Sequence, residues 1–181
     1  LMSVWNQDRY IKAWNYASVA HNGQQLPGKE IAYINHIGLV AMEAMAAVAH
    51  EPIERPDLLV DCALLHDTIE DKTTSFADIA AAFGLDVAKG VMALSKDKTL
   101  PTKEAQMIDS LNRIRKEPKE IWMVKLSDRI TNLPAPPHHW TKEKIAKYKN
   151  EAIVILEALG EANRYLADRL SLKIKEYQQY E

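Results

Sequence analysis

Leu64-Leu65-His66-Asp67-Thr68-Ile69-Glu70-Asp71 is the stretch on which the reading of this chain turns. Two leucines run straight into an imidazole and a carboxylate, so polar groups stand where the pattern asks for core. An ionised carboxylate in such a setting is costly unless a cation or a hydrogen-bond partner compensates. The same tension recurs at His36, inside the apolar segment from Asn35 to His50, and at Asp128 in Val124-Lys125-Leu126-Ser127-Asp128-Arg129-Ile130. A single histidine or aspartate of this kind is more often a structural hydrogen-bonding group. Four together, His36, His66, Asp67 and Asp128, offer two imidazoles and two carboxylates, a set suited to a divalent first-row metal. The set is harder than the thiolate sites of structural zinc. It leaves octahedral positions for water or phosphate oxygen, which makes Mn²⁺ the first choice, with Fe²⁺, Mg²⁺ or Co²⁺ as alternatives. A metal with open positions polarises a phosphoryl oxygen and lowers the pKa of bound water.

Outward from this stretch the chain reads as helical nearly throughout. Ala, Leu, Met, Lys and Glu dominate, and alternating β-branched runs are missing. Ser3 is the expected cap of a first helix reaching about His21, and Gly23, Pro27 and Gly28 then impose a loop. A second helix is expected from about Asn35 to His50. A third opens at Pro56, carries the His66-Asp67 doublet and ends near Asp71. Ser75 to Asp78 resembles a capping box, and Gly84 closes that short helix. Further helices are expected over about 86–94, 102–115, 118–133, 141–159 and 161–177, the seventh stopped by Pro134, Pro136 and Pro137. The expected fold is all-α, one domain of about eight or nine helices spanning residues 1–181.

With 181 residues, 47% hydrophobic and 27% charged, the chain is long enough for a real core and unlike a disordered one. A net charge of −2 gives no general reason to expect nucleic acid or an anionic membrane as partner. A small phosphorylated ligand needs only a local cluster of Lys and Arg. Cys62 has no second cysteine to pair with, which points to an intracellular, cytoplasmic setting. No run approaches the roughly 18 apolar residues of a membrane span, and no signal-peptide pattern is seen. Leu1 ahead of Met2 reads as a residue added in cloning. Exposed helical faces allow a monomer or a homodimer.

If the third helix runs on, Glu70 lies four residues beyond His66 and three beyond Asp67, on their face, and Asp71 lies four beyond Asp67. Three carboxylates at a helix C-terminus oppose its dipole and repel one another. One reading is a solvated helix end. The other is that a metal offsets the charge while Glu70 or Asp71 positions the attacking water and handles its proton. Asn132, four residues beyond Asp128, would either reach a substrate sugar hydroxyl or support Asp128. Arg129 is placed on a different face, as an ion-pair residue.

These residues resemble a known family. His36, the run His66 to Asp71, and Lys125-Leu126-Ser127-Asp128-Arg129-Ile130-Thr131-Asn132-Leu133 are similar to the HD-domain phosphohydrolases. Within these they resemble the (p)ppGpp hydrolases: the hydrolase domain of the RelA/SpoT enzymes and the stand-alone alarmone hydrolases of the metazoan SpoT homologue type. The likeness runs from about Tyr10 to Gly160 and takes in Ala20-His21-Asn22-Gly23-Gln24, Tyr33-Ile34-Asn35-His36 and Asp97-Lys98-Thr99-Leu100-Pro101. It implies Mn²⁺-dependent removal of the 3′-pyrophosphate from ppGpp or pppGpp. By the same resemblance His36, His66, Asp67 and Asp128 hold the metal, and Glu70 and Asp71 activate and orient water. Asn132 faces the ribose; Lys98, Lys144 and Tyr148 approach the phosphates, and Tyr33 lines the nucleotide pocket.

One departure bears on substrate. Before Tyr33 the family carries a basic Arg-Lys pair against guanine, whereas here the segment is Gln25-Leu26-Pro27-Gly28-Lys29-Glu30. Neither Leu nor Pro replaces a guanidinium stacked on a base, and Lys29 is left as the candidate substitute. The sequence therefore also admits another nucleotide, an adenine alarmone or NADPH. A non-catalytic regulatory HD module that binds nucleotide is a third possibility, against which Glu70 and Asp71 argue.

Overall fold

Short polar side chains set where the helices begin. The computed structural model describes residues 4–71 and 74–181, and its regular structure is helical. In chain order the helices are α1 (Gln7–Ala20), α2 (Ile34–His50), α3 (Pro56–Leu65), α4 (Phe76–Phe83), α5 (Leu85–Leu94), α6 (Lys103–Ile114), α7 (Lys119–Thr131), α8 (Lys142–Leu159) and α9 (Arg164–Tyr177). Thr102, Thr141 and Asn163 cap α6, α8 and α9 through their side-chain oxygens. Ser75 and Asp78 form the reciprocal capping box foreseen for α4. Asn6 caps α1 by accepting from the Arg9 N–H, and Ser3 lies outside the described residues. The last segment, expected to run unbroken from Glu161, instead makes a 3-10 turn over Gly160–Ala162 and restarts at Arg164, because Asn163 turns its side chain onto the Leu166 N–H.

All of α3 except Asp57 is buried. A helix apolar on every side belongs at the centre of a core, and α3 packs against α1, α2, α5 and α7. α7 is buried from Glu120 to Ser127 and shares α2 and α3 as neighbours, while α8 and α9 pack on its other flank. His36 stands near the start of α2, His66 just past the end of α3 and Asp128 near the end of α7. Three central helices thus deliver polar groups to one end of the bundle. The loop before α2 is pinned by a bridge between Gln25 and Ala32 and by the Tyr33 N–H on the Gln24 carbonyl at 2.8 Å.

The helix expected to carry the His66-Asp67 doublet stops at Leu65, and residues 66–71 continue as turns. Side chains compete for the carbonyls that would have extended it. His66 Nδ1 donates to the Ala63 carbonyl at 2.7 Å, and Thr68 Oγ1 to that of Leu65 at 2.8 Å. One helical turn survives, the Asp71 N–H meeting the Asp67 carbonyl at 3.0 Å.

Away from the site, Arg9 on α1 grips Asp61, a carboxylate 1% exposed on α3. Burial raises the Asp61 pKa above its ordinary value, and Arg9 opposes that rise. A raised carboxyl pKa means folding disfavours the ionised form; the penalty vanishes below the unfolded value of about 3.9. Removing Arg9 leaves the charge unpaired. An Arg9→Ala variant is therefore expected to lose about 2–4 kcal/mol at pH 7, with the deficit shrinking as pH falls toward 4. Urea unfolding of both proteins across that range checks the slope.

Candidate active site

At the common end of α2, α3 and α7 the four polar side chains converge. His36 Nε2 lies 3.1 Å from Asp128 Oδ1 and 3.6 Å from Asp67 Oδ2. His66 Nε2 lies 3.1 Å from Asp67 Oδ2 and 3.6 Å from Asp128 Oδ1. The His66 ring gives its Nδ1 proton to Ala63, which turns the other nitrogen toward the carboxylates as a lone pair. That nitrogen is buried and has no hydrogen-bond partner among the described residues. Lone pairs facing carboxylate oxygens at such distances need a positive charge between them. His36, His66 and Asp67 place one donor atom each within 4.8 Å of one another. Donor chemistry, ring orientation and the orphaned nitrogen fit a divalent cation.

The protonation pattern follows from the same crowding. Burial would lower the His66 pKa, but without a cation between them Asp67 and Asp128 would draw a proton onto the ring and raise its pKa well above its ordinary value, the same demand for positive charge that a metal would meet. Burial works in the opposite sense on Asp128, which Lys125 and the two imidazoles hold well below the usual carboxylate range. Asp67 is likewise held down against burial, by His66 and by the Tyr33 hydroxyl. Tyr33 donates to Asp67 Oδ2 at 2.6 Å, and burial together with Asp67 keeps its phenol protonated. The helix dipoles oppose the ionisation of these aspartates and add to the demand for a cation, since α3 and α7 both point their negative C-terminal ends at the cluster.

The two further carboxylates of the doublet stretch are anchored separately. Glu70 Oε1 accepts the Lys96 N–H at 2.7 Å, and its carbonyl lies 3.3 Å from Lys98 Nζ. Asp71 Oδ2 accepts from Gln24 Nε2 at 3.0 Å. Gln24 Oε1 in turn lies 2.8 Å from His21 Nδ1, and the His21 ring packs against Tyr33 at 5.0 Å between centroids.

A cavity of about 690 Å³ opens over the cluster. Its wall contains Tyr33, Glu70, Lys98, Asn132, Lys144 and Tyr148, all foreseen as site residues, together with the four presumed ligands. Neither Asp71 nor Lys29 belongs to the cavity lining: burial raises the Tyr33 phenol pKa and Asp71 is near enough for its charge to add to that rise, while Lys29 stands exposed on the loop ahead of Tyr33. Asn132 donates to Asp128 Oδ1 at 3.1 Å, so its amide supports the aspartate. Lys144 sits 4.3 Å over the Trp140 ring, and Trp140 meets Tyr148 edge-on at 5.3 Å.

The lining also holds cations that the sequence reading did not single out: Lys96, Lys103, Lys125, Lys147 and Arg129. Arg129, placed on another face from sequence, is 6% exposed, with its guanidinium 4.3 Å from the Tyr148 ring centre and 3.7 Å from Glu151. α7 is enclosed on most sides, so leaving the Asp128 face did not take Arg129 to solvent. Lys96 is half-buried; burial and the neighbouring Lys125 and Arg129 pull its pKa down, against Glu70 and Glu151. For Lys125 and Arg129 the signal lay in the apolar run around them; Lys96, Lys103 and Lys147 stand in polar segments that carry none. Cations exceed carboxylates in the cavity, the balance expected where a multiply charged phosphate binds.

Comparison with known proteins agrees with this geometry. Residues 13–165 match the HD domain family. The chain is 30% identical over 166 residues to the guanosine-3′,5′-bis(diphosphate) 3′-pyrophosphohydrolase MESH1 of Xenopus tropicalis, covering 88% of this chain and 89% of that one. It is 28% identical over 172 residues to the human protein of the same name, covering 92% and 93%. A solved structure described as a metazoan ortholog of SpoT that hydrolyzes ppGpp and plays a role in starvation responses superposes with a TM-score of 0.81 at 25% identity, over 96% of this chain and 98% of the other. With its helices, its convergent His and Asp side chains and a match over most of its length, the chain belongs to the HD domain family.

Proposed function

We propose that the protein is a divalent-metal-dependent phosphohydrolase that takes the 3′-pyrophosphate from ppGpp or pppGpp, leaving GDP or GTP. The observation that carries this reading is the orphaned His66 Nε2 facing two carboxylates at the floor of a lysine-rich cavity. The likeness to proteins named for that reaction supports the substrate. His36, His66, Asp67 and Asp128 hold the metal, a mixed set of two imidazoles and two carboxylates for which Mn²⁺ is the first choice and Fe²⁺, Mg²⁺ or Co²⁺ the alternatives. When bound, it polarises the phosphoryl oxygen and acidifies water.

The chain's own groups do the rest. Glu70 takes the proton of the attacking water, and Asp71 orients that water. Oxygen of water bonds to the phosphorus attached at O3′, the P–O3′ bond breaks with its electron pair on O3′, the proton held by Glu70 passes to that oxygen, and pyrophosphate and GDP or GTP part. Lys98, Lys144 and Tyr148 grip the phosphates. Burial raises the Tyr148 pKa to about 12, so its hydroxyl stays a donor. Asn132 steadies Asp128 and keeps its carbonyl oxygen for a ribose hydroxyl. Residues 1–181 act as one HD-type unit, in the cytoplasm, as a monomer or a homodimer. Its partner is the small nucleotide, with neither nucleic acid nor a membrane engaged; the net charge of −2 and the lack of a membrane-length apolar helix among the described residues support this.

A second reading, hydrolysis of an adenine alarmone or of the 2′-phosphate of NADPH, is favoured by one observation: Lys29 is not part of the cavity lining, and the loop offers no guanidinium for guanine. Purified protein with Mn²⁺ is tested on ppGpp, pppGpp, the adenine analogues and NADPH. Pyrophosphate from ppGpp is the expected product; orthophosphate from NADPH alone supports the second reading, and no turnover supports a regulatory module. Asp128→Ala is expected to lose bound metal as measured by elemental analysis, and unchanged metal content removes Asp128 from the ligand set. Glu70→Gln is expected to keep its metal while kcat falls about 10²–10⁴-fold, read from initial rates.

A further inference from the structure

We infer that Gln24, oriented by His21, is a positioning residue that fixes the Asp71 carboxylate for the attacking water. The inference rests on the role proposed above for Asp71. The directions of the hydrogen bonds are determined by the groups themselves. A carboxylate only accepts, so the 3.0 Å contact to Asp71 Oδ2 is made by the Gln24 amide nitrogen. The amide oxygen therefore faces His21 and accepts from Nδ1–H at 2.8 Å. Nε2 of His21 is buried and makes no hydrogen bond among the described residues, and Nδ1 is within hydrogen-bond distance of Gln24 alone, with Asp71 Oδ2 farther off at 3.7 Å.

The backbone makes this relay stiff. Gly23 adopts a left-handed φ of 79°, open to glycine without a steric penalty, and the turn it allows brings the Gln24 N–H to the His21 carbonyl at 3.0 Å. The Tyr33 N–H holds the Gln24 carbonyl from the other side. The His21 ring is 3% exposed and packs on Tyr33, whose hydroxyl holds Asp67. One aromatic ring thus sets both the presumed metal ligand and the residue orienting Gln24. Asp71 itself stands at the end of the turns following α3, with a side chain 25% exposed. Without the amide it would rotate among solvent-facing rotamers; with one oxygen clamped, the other keeps a fixed direction. A purely structural role is disfavoured because His21 is buried with one nitrogen unsatisfied, an arrangement an apolar residue of like size would improve.

The test compares Gln24→Met, His21→Leu, His21→Asn, Asp71→Asn and the Gln24→Met/Asp71→Asn pair, with Mn²⁺ and ppGpp, recording kcat, KM, bound metal and Tm. Gln24→Met and His21→Leu are expected to lower kcat about 10–100-fold, with KM and metal content unchanged. Asn places an amide nitrogen where Nδ1 lies, so His21→Asn is expected to recover most of the rate. In the Asp71→Asn background Gln24→Met is expected to cost nothing further. A Gln24→Met enzyme with full kcat beside an impaired Asp71→Asn overturns the relay, as does an equal loss in both backgrounds. Full activity in Asp71→Asn overturns the role of Asp71 itself, a separate failure that takes the relay with it.

Discussion

Two imidazole nitrogens and two carboxylate oxygens, brought within 3.1–3.6 Å at the ends of three helices packed on one another, form the constraint on which the rest of this structure depends. Acceptors do not assemble in a core by preference. Their meeting is enforced by α2, α3 and α7, whose apolar faces leave each helix little freedom to slide. The negative ends of α3 and α7 add to the charge of the aspartates, so the site is a sink for positive charge before any side chain is considered in detail. Tyr33, Lys125 and Asn132 each donate toward it and share in balancing it.

The surrounding cavity reverses the sign. Lysines and Arg129 share the cavity lining with the carboxylates and outnumber them, so under the proposed reaction one cavity would offer groups for both a cation and a polyphosphate. Tyr148 and Trp140 hold two of those cations by their ring faces, Arg129 and Lys144. A ring face orients a cation without neutralising it, so the charge remains available to a ligand. The carboxylate partner of Arg129, Glu151 on α8, lines the same cavity at 3.7 Å from the guanidinium.

Much of this is legible in the sequence, for definite reasons. His36, His66, Asp67 and Asp128 each interrupt an apolar run, and the helices follow from composition and from punctuation by Pro, Gly and capping residues. Where the third helix ends is not legible, because propensity favours continuation and only the contacts of His66 and Thr68 with nearby carbonyls stop it. Face arguments fail for Arg129, since they assume one exposed side and α7 has almost none. Gln24 and Asp71 are 47 positions apart, and nothing local in either segment announces that their side chains meet.

The anchoring of Glu70 carries a consequence for how such a site changes over time. Its carboxylate is held by the main-chain N–H of residue 96 and by no side chain of that loop. Any amino acid except proline supplies that donor. The loop from 95 to 101 can therefore exchange its side chains, Lys96 and Lys98 among them, and drift toward a different anion without disturbing the Glu70 carboxylate. Substrate preference and hydrolytic chemistry are in this way inherited through different parts of the same backbone.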